Sequence, residues 1–165
     1  MKLDSKLPDV GITIFAVMSK LAADESAINL SQGFPEFDVH PELIRLMEKH
    51  LSTNRNQYAP MAGVPELREK IAEKTLSLYS CKVDPLSQIT VTAGATQSLF
   101  AAITAVVRPG DEVLLFEPAY DSYEPVTKLC GGIPVHSQLT FPDYRIDWDQ
   151  VKDKIPYPGT GVKHQ

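Results

Sequence analysis

Gly94, Ala95 and Thr96 are the residues best placed by type and spacing to do chemistry. They follow the β-branched run Ile89-Thr90-Val91-Thr92 and precede the helix-forming segment Leu99 to Val107. A strand that turns through small residues straight into a helix aims backbone N–H groups and the positive end of the helix dipole at one spot. That spot suits a phosphate. The second candidate is Tyr120, which follows the apolar run of Glu112 to Phe116 by way of Glu117-Pro118-Ala119. Ligands of open α/β sheets sit beyond the carboxyl ends of the strands, so Gly94–Thr96 and Tyr120 are expected to face one crevice. A phosphate turn beside an aromatic plate fits a phosphorylated planar heterocycle, which would stack on the ring. Alone, the turn is common in α/β proteins, and Tyr120 alone reads first as a packing residue. The chain lacks both G-x-G-x-x-G and G-x-x-x-x-G-K-[ST], which disfavours a dinucleotide or ATP.

The elements that must position these residues follow from apolar spacing. Residues 12–23 read as a helix, with Ile14, Val17, Met18 and Leu21 on one face. Ala27 to Leu30 reads as a short strand, and Ser31-Gln32-Gly33-Phe34-Pro35-Glu36-Phe37-Asp38 as a loop with two aromatics. That loop is either a turn whose aromatics pack inward or a site loop in which Gly33 lets a ligand approach the backbone. Pro41 to Leu51 is a helix with proline in its tolerated first turn and Glu42 at the favourable end of the dipole. Gln57-Tyr58-Ala59-Pro60-Met61-Ala62-Gly63 is a further loop, its tyrosine packed or reaching outward. A helix from Pro65 to about Ser80 leads to the expected strand at 89–93. Helix 96–107, strand 112–116 and helix 120–129 follow, the last with Pro125 near its start and Gly131-Gly132 at its end. Strand 134–139 and a helix capped by Asp147 complete the pattern. The order β-α-β-α-β-α from residue 89 predicts a mostly parallel sheet with helices on both faces.

Composition narrows the functional classes. The 165 residues are 43% hydrophobic and 22% charged, with a net charge of −5 and no basic run. A general nucleic-acid partner needs a basic footprint, so none is expected. No apolar run is long enough to span a bilayer, and the first residues lack a signal-peptide layout, so no membrane is expected and a cytoplasmic location is. Cys81 and Cys130 are distant and read as reduced thiols. His40, His50, His136 and His164 show no ligand spacing, so no metal site is expected.

Four stretches together carry a resemblance. They are Ile28 to Pro35 (INLSQGFP), Asn56 to Gly63 (NQYAPMAG), Ile89 to Thr96 (ITVTAGAT), and Gly110-Asp111-Glu112-Val113 through Pro118-Ala119-Tyr120-Asp121-Ser122-Tyr123. In this order and spacing, over about residues 10–155, the chain resembles the N-terminal part of fold-type I, pyridoxal-phosphate-dependent aminotransferases of class I/II. Within them it is most similar to the methionine and kynurenine/glutamine branch. The resemblance implies the aspartate aminotransferase fold, an α/β architecture with flanking helices, of which an incomplete parallel sheet is expected here. It implies that residues 1–45 belong to the small domain and 46–155 to the large cofactor-binding domain, with 156–165 a divergent tail. Gly94, Ala95 and Thr96 would form the cup for the phosphate of pyridoxal 5'-phosphate, and Tyr120 would stack on its ring. Tyr58 would reach in trans into the site of the other subunit of a homodimer. Gly33 would offer its backbone to the substrate carboxylate, and Phe15 and Phe34 would line the side-chain pocket. Substrates would be an amino acid of methionine, aromatic, kynurenine or glutamine type and a 2-oxo acid.

The resemblance also has a gap. The family's Schiff-base lysine, its aspartate at the pyridine nitrogen and its carboxylate-clamping arginine lie further along the chain, and no residue here matches them; Lys154 and Lys163 stand in the wrong context. No catalytic residue is therefore assigned. The tail Ile155 to Gln165 is rich in proline and glycine and reads as a truncation, splice form or frame change. The chain alone is expected to be poorly stable and inactive. Two other readings stay open: a non-catalytic fragment that binds a full-length homologue, and a small phosphate-ligand-binding α/β module.

Overall fold

The computed structural model describes residues 4–33 and 35–155. Phe34, Lys163 and the tail 156–165 lie outside the described residues. The chain divides into two compact units, one of residues 14–93 and one of residues 1–13 with 94–165.

The unit of residues 14–93 holds α1 (Ile14–Asp24), α2 (Pro41–Leu51) and α3 (Pro65–Tyr79). Local signals set their ends. Pro41 opens α2, the His40 imidazole accepts from the Glu42 N–H at 3.2 Å, and Lys49 and His50 lie in the last turn. Pro65 opens α3, and Ser80 closes it in the left-handed region with φ of 52°. Among the described residues of this unit the buried side chain is Arg68, whose guanidinium donates to the Leu86 carbonyl at 2.5 Å. The expected strand at 89–93 is not formed, nor is the one at 27–30. A strand is a ladder, and among the described residues the only ladder of strands joins two later segments. Val91 instead donates its N–H to Ala62 O at 3.0 Å, fixing the extended segment to the Pro60–Gly63 turn. Gly63 suits that approach: its φ is +98°, and a Cβ there would lie 2.6 Å from Val91 Cγ2.

The other unit builds α4 (Gly94–Val106), β1 (Glu112–Glu117), α5 (Tyr123–Leu129), β2 (Ile133–Gln138) and α6 (Trp148–Lys154). β1 and β2 are parallel, with Leu115 opposite His136 and Glu117 opposite Gln138. The sheet is thus two-stranded rather than three-stranded, since residues 89–93 do not join it. α5 is the crossover between the two strands and packs on both, and on α4. It begins at Tyr123 rather than Tyr120, which places Pro125 in its first turn where a missing N–H costs nothing. Leu115, Val126 and Val151 form the buried apolar core, one each from β1, α5 and α6. α6 starts at the expected cap, with Asp147 accepting from the N–H groups of Asp149 and Gln150, both at 3.1 Å. Buried Ser137 ties β2 to α6 through Gln150 at 2.8 Å.

Candidate functional site

Gly94, Ala95 and Thr96 form the first turn of α4. The small-residue turn expected ahead of a helix at 96 is therefore the helix start itself. Gly94 makes the corner with a φ of +80°, and a Cβ on it would meet nothing within 4 Å. The first turn of a helix carries the positive end of its dipole, about half an elementary charge. The first turn of α4 contains no acidic side chain that would oppose an anion there. All three residues are exposed.

The turn after β1 delivers Tyr120 to the same place. The Thr96 Oγ1 and Tyr120 Oη atoms are 3.3 Å apart. Tyr120 is 44% exposed, and its ring meets that of Tyr123 edge-on, with centroids 5.8 Å apart and planes at 69°. Tyr123 is the functional candidate that reading the sequence missed. Its signal in the sequence is a second aromatic three residues after the first, which a helix beginning at Tyr120 hides.

The same unit holds a charged cluster that joins β1, α5 and β2. His136 Nδ1 is 2.7 Å from Glu117 Oε1, and Nε2 is 3.9 Å from Glu124 Oε2. Lys128 pairs with Glu124 at 2.7 Å and holds the Glu124 carboxyl below its ordinary range. Gln138 donates to Glu117, and Lys154 donates to the His136 carbonyl. Lys154 is thereby committed to the edge of β2. No sequence pattern announced this cluster, because it depends on the β1–β2 register and on the packing of α5.

The remaining residues singled out belong to the unit of residues 14–93. Phe15 is on α1 and 39% exposed. Gly33 lies in an exposed loop, with nothing within 4 Å of where a Cβ would stand. That loop is organised by Asn29, whose Oδ1 accepts from Ser31 N–H at 3.1 Å and Ser31 Oγ at 2.6 Å, and whose amide reaches Ser19 on α1 at 3.2 Å. Tyr58 is fully exposed. Among the described residues, no group of three or more His, Cys, Asp or Glu could hold a metal ion, and no helix is long and apolar enough to cross a membrane.

Comparison with known proteins adds the following. Residues 25–163 match the family model described as aminotransferase class I and II. The chain is 55% identical over 146 residues to the methionine aminotransferase of Escherichia coli K12, covering 88% of this chain and 38% of that protein. It is 40% identical over 154 residues to a probable N-succinyldiaminopimelate aminotransferase of Mycobacterium tuberculosis, covering 92% of this chain and again 38% of the relative. Among solved structures it matches YbdL from Escherichia coli, described with a methionine aminotransferase function, at a TM-score of 0.88 and 51% identity over 94% of this chain and 41% of that one. The chain thus spans well under half the length of the proteins it matches.

Proposed function

The chain belongs to the class I and II aminotransferases, and from that premise we propose that its residues serve pyridoxal-phosphate-dependent transamination between an amino acid and a 2-oxo acid. Its α/β fold is that of the aspartate aminotransferase type. The amino acid is of the methionine, aromatic, kynurenine or glutamine class, and the methionine aminotransferase at 55% identity favours methionine among them.

One observation carries this reading: the 3.3 Å contact between the Thr96 and Tyr120 hydroxyls, which brings an aromatic ring to a helix N-terminus. Those two features match the two ends of the cofactor, a phosphate and a planar ring. The N–H groups of the first turn of α4 and the Thr96 hydroxyl bind the phosphate, and Tyr120 lies against the ring. When bound, pyridoxal phosphate supplies an electron sink for bonds at the amino-acid α-carbon. By the same resemblance Gly33 would offer its backbone to the substrate carboxylate, and Phe15 and Phe34 would line the side-chain pocket. Tyr58 serves the partner's site of a homodimer, a role supported by its full exposure. A cytoplasmic location belongs to the same reading and rests on the sequence, in which two distant cysteines form no disulfide pattern.

Within these 165 residues no lysine stands where the family holds its cofactor, so we assign them binding and not turnover. The test takes the 165-residue chain with pyridoxal phosphate in equilibrium dialysis, in a methionine/2-oxo acid assay, and in borohydride reduction followed by lysine mapping. The expected result is saturable binding, no turnover, and no single labelled lysine. Turnover or one specifically labelled lysine would overturn the assignment of binding alone, and the absence of binding would overturn the cup and plate. Size-exclusion with a full-length homologue, with and without Tyr58→Ala, tests the dimer role; co-elution that the substitution does not weaken removes Tyr58 from it.

A further inference from the structure

We infer that Tyr123 is a positioning residue that sets the angle of the Tyr120 ring, and through it the selectivity of the site for a ring-bearing phosphate over a bare one. The inference rests on the reading of Gly94–Thr96 and Tyr120 as cup and plate. Tyr120 leaves the end of β1 on a turn and keeps 44% of its surface exposed, so a densely packed core does not fix its ring. Two contacts hold it. At the tip, its hydroxyl meets Thr96 Oγ1 at 3.3 Å. At the ring, Tyr123 meets it edge-on at 5.8 Å and 69°. A hydrogen bond at the hydroxyl alone leaves the ring free to rotate about the axis through it. An edge-to-face neighbour supplies the missing restraint, because the positive edge of one ring is drawn to the negative face of the other.

Tyr123 is suited to act as the fixed member. Its N–H donates to Tyr120 O at 3.2 Å, and its carbonyl accepts from Thr127 Oγ1 at 2.9 Å. Thr127 lies on the buried face of α5, with 0% of its surface exposed. These two bonds fix the Tyr123 backbone at the start of α5, and from that anchored position its ring meets the half-exposed ring of Tyr120. An edge-on partner orients the plate without occupying the whole of it, which leaves surface for a planar ligand.

The test uses the 165-residue chain and two probes in equilibrium dialysis. Pyridoxine 5'-phosphate carries ring and phosphate but no aldehyde to react with lysines; inorganic phosphate carries only the second feature. Tyr123→Leu should weaken pyridoxine 5'-phosphate about 3–10-fold, the size of one lost edge-to-face pair. It should leave inorganic phosphate within about twofold, and Tyr123→Phe, which keeps the ring, should bind both probes as the parent does. Should Tyr123→Leu fail to fold, Tyr123→Met, which keeps the bulk but has no ring, carries the same expectation. Equal weakening of both probes, or no weakening of either, overturns the role of Tyr123. A parent chain that binds neither probe, or binds pyridoxine 5'-phosphate no better than phosphate, overturns the cup-and-plate reading and the inference with it.

Discussion

Tyr120 and Tyr58 are both loop tyrosines that the resemblance assigns to the cofactor, yet they are held in contrasting ways. Tyr120 has a hydroxyl partner on α4 and a ring partner on α5. Tyr58 is fully exposed and makes no hydrogen bond or ring contact with the described residues. The contrast follows the units that carry them. The unit of residues 1–13 and 94–165 places Leu115, Val126, Thr127, Ser137 and Val151 in its interior, drawn from four different elements. In the unit of residues 14–93 the buried side chain is Arg68, and the apolar sides of its helices, such as Leu43, Met47 and Leu76, are largely exposed. A side chain is oriented from within the chain where crossing elements pack around it. Where they do not, the side chain is left without an orienting neighbour, as the trans role proposed for Tyr58 would need.

The largest expected effects are steric and bear on how tightly each unit is closed. Gly63→Ala would set a Cβ 2.6 Å from Val91 Cγ2 and 2.7 Å from Val91 Cβ at a φ of +98°. Backbone strain and overpacking together should cost about 2–4 kcal/mol. Gly132→Ala would place its Cβ 2.8 Å from Val107 Cγ1 and 3.0 Å from Thr127 Cγ2, at a cost of about 1–3 kcal/mol. Urea unfolding followed by circular dichroism measures both. An unchanged Gly63→Ala midpoint would mean that the Val91 segment is not seated against the Pro60–Gly63 turn.

Thr96→Val comes next. It removes the hydroxyl that joins cup to plate while leaving the shape of the side chain nearly unchanged. Loss of a hydrogen bond to a charged group corresponds to about 1.5–3 kcal/mol, or roughly 10–100-fold in inorganic phosphate affinity. Dialysis against phosphate reads it directly, and an unaltered affinity would place the anion elsewhere. Below this lies the comparison of the two tyrosines. Tyr120→Leu should weaken pyridoxine 5'-phosphate about 3–10-fold, whereas Tyr58→Leu should leave the isolated chain within about twofold. Equal losses would erase the distinction between a plate held in cis and a residue offered in trans.

The features legible in the sequence were those set by neighbouring residues. Pro41 and Glu42 marked the start of α2, Asp147 marked α6, and the run from Glu112 marked β1. Each depends on a cap, a proline or a short apolar run, all local. Non-local features are not legible in this way. Ile89–Ala93 has the β-branched composition of a strand, but composition supplies no neighbour to complete a ladder, and Val91 bonds to a loop carbonyl instead. At the candidate site, Thr96 and Tyr120 could be named separately from turn chemistry and strand ends. Their 3.3 Å contact, the edge-on partner Tyr123 and the Glu117–His136–Glu124 cluster all depend on register and crossover, which no single stretch encodes.

The smallest effect compares one ion pair from each unit. In α2, Arg45 hydrogen-bonds Glu42 and holds its carboxyl below the ordinary range, while Arg45 is raised in turn. In α5, Lys128 does the same to Glu124, with His136 adding in the same direction, and Lys128 is raised. A carboxyl depressed in the folded state means that the unfolded chain binds the proton more readily, so stability rises with pH through that range. Each glutamate's contribution is complete above the unfolded carboxylate value, about 4.3, and is lost as pH falls through the lower folded value. For Lys128 the sign reverses: its contribution is complete below the unfolded lysine value, about 10.4, and is lost as pH rises through the higher folded one. Glu42 and Arg45 keep more than half of their side-chain surface exposed, where water and salt screen the pair, while Glu124 keeps 39% and faces a second partner in His136. Glu124→Gln should therefore flatten the acid limb of the stability–pH curve more than Glu42→Gln does, and the difference should shrink in high salt. Urea midpoints measured between pH 3 and pH 7 at two ionic strengths read the comparison. Equal slopes for the two variants would show that the packing around α5 confers no electrostatic advantage over the open face of α2.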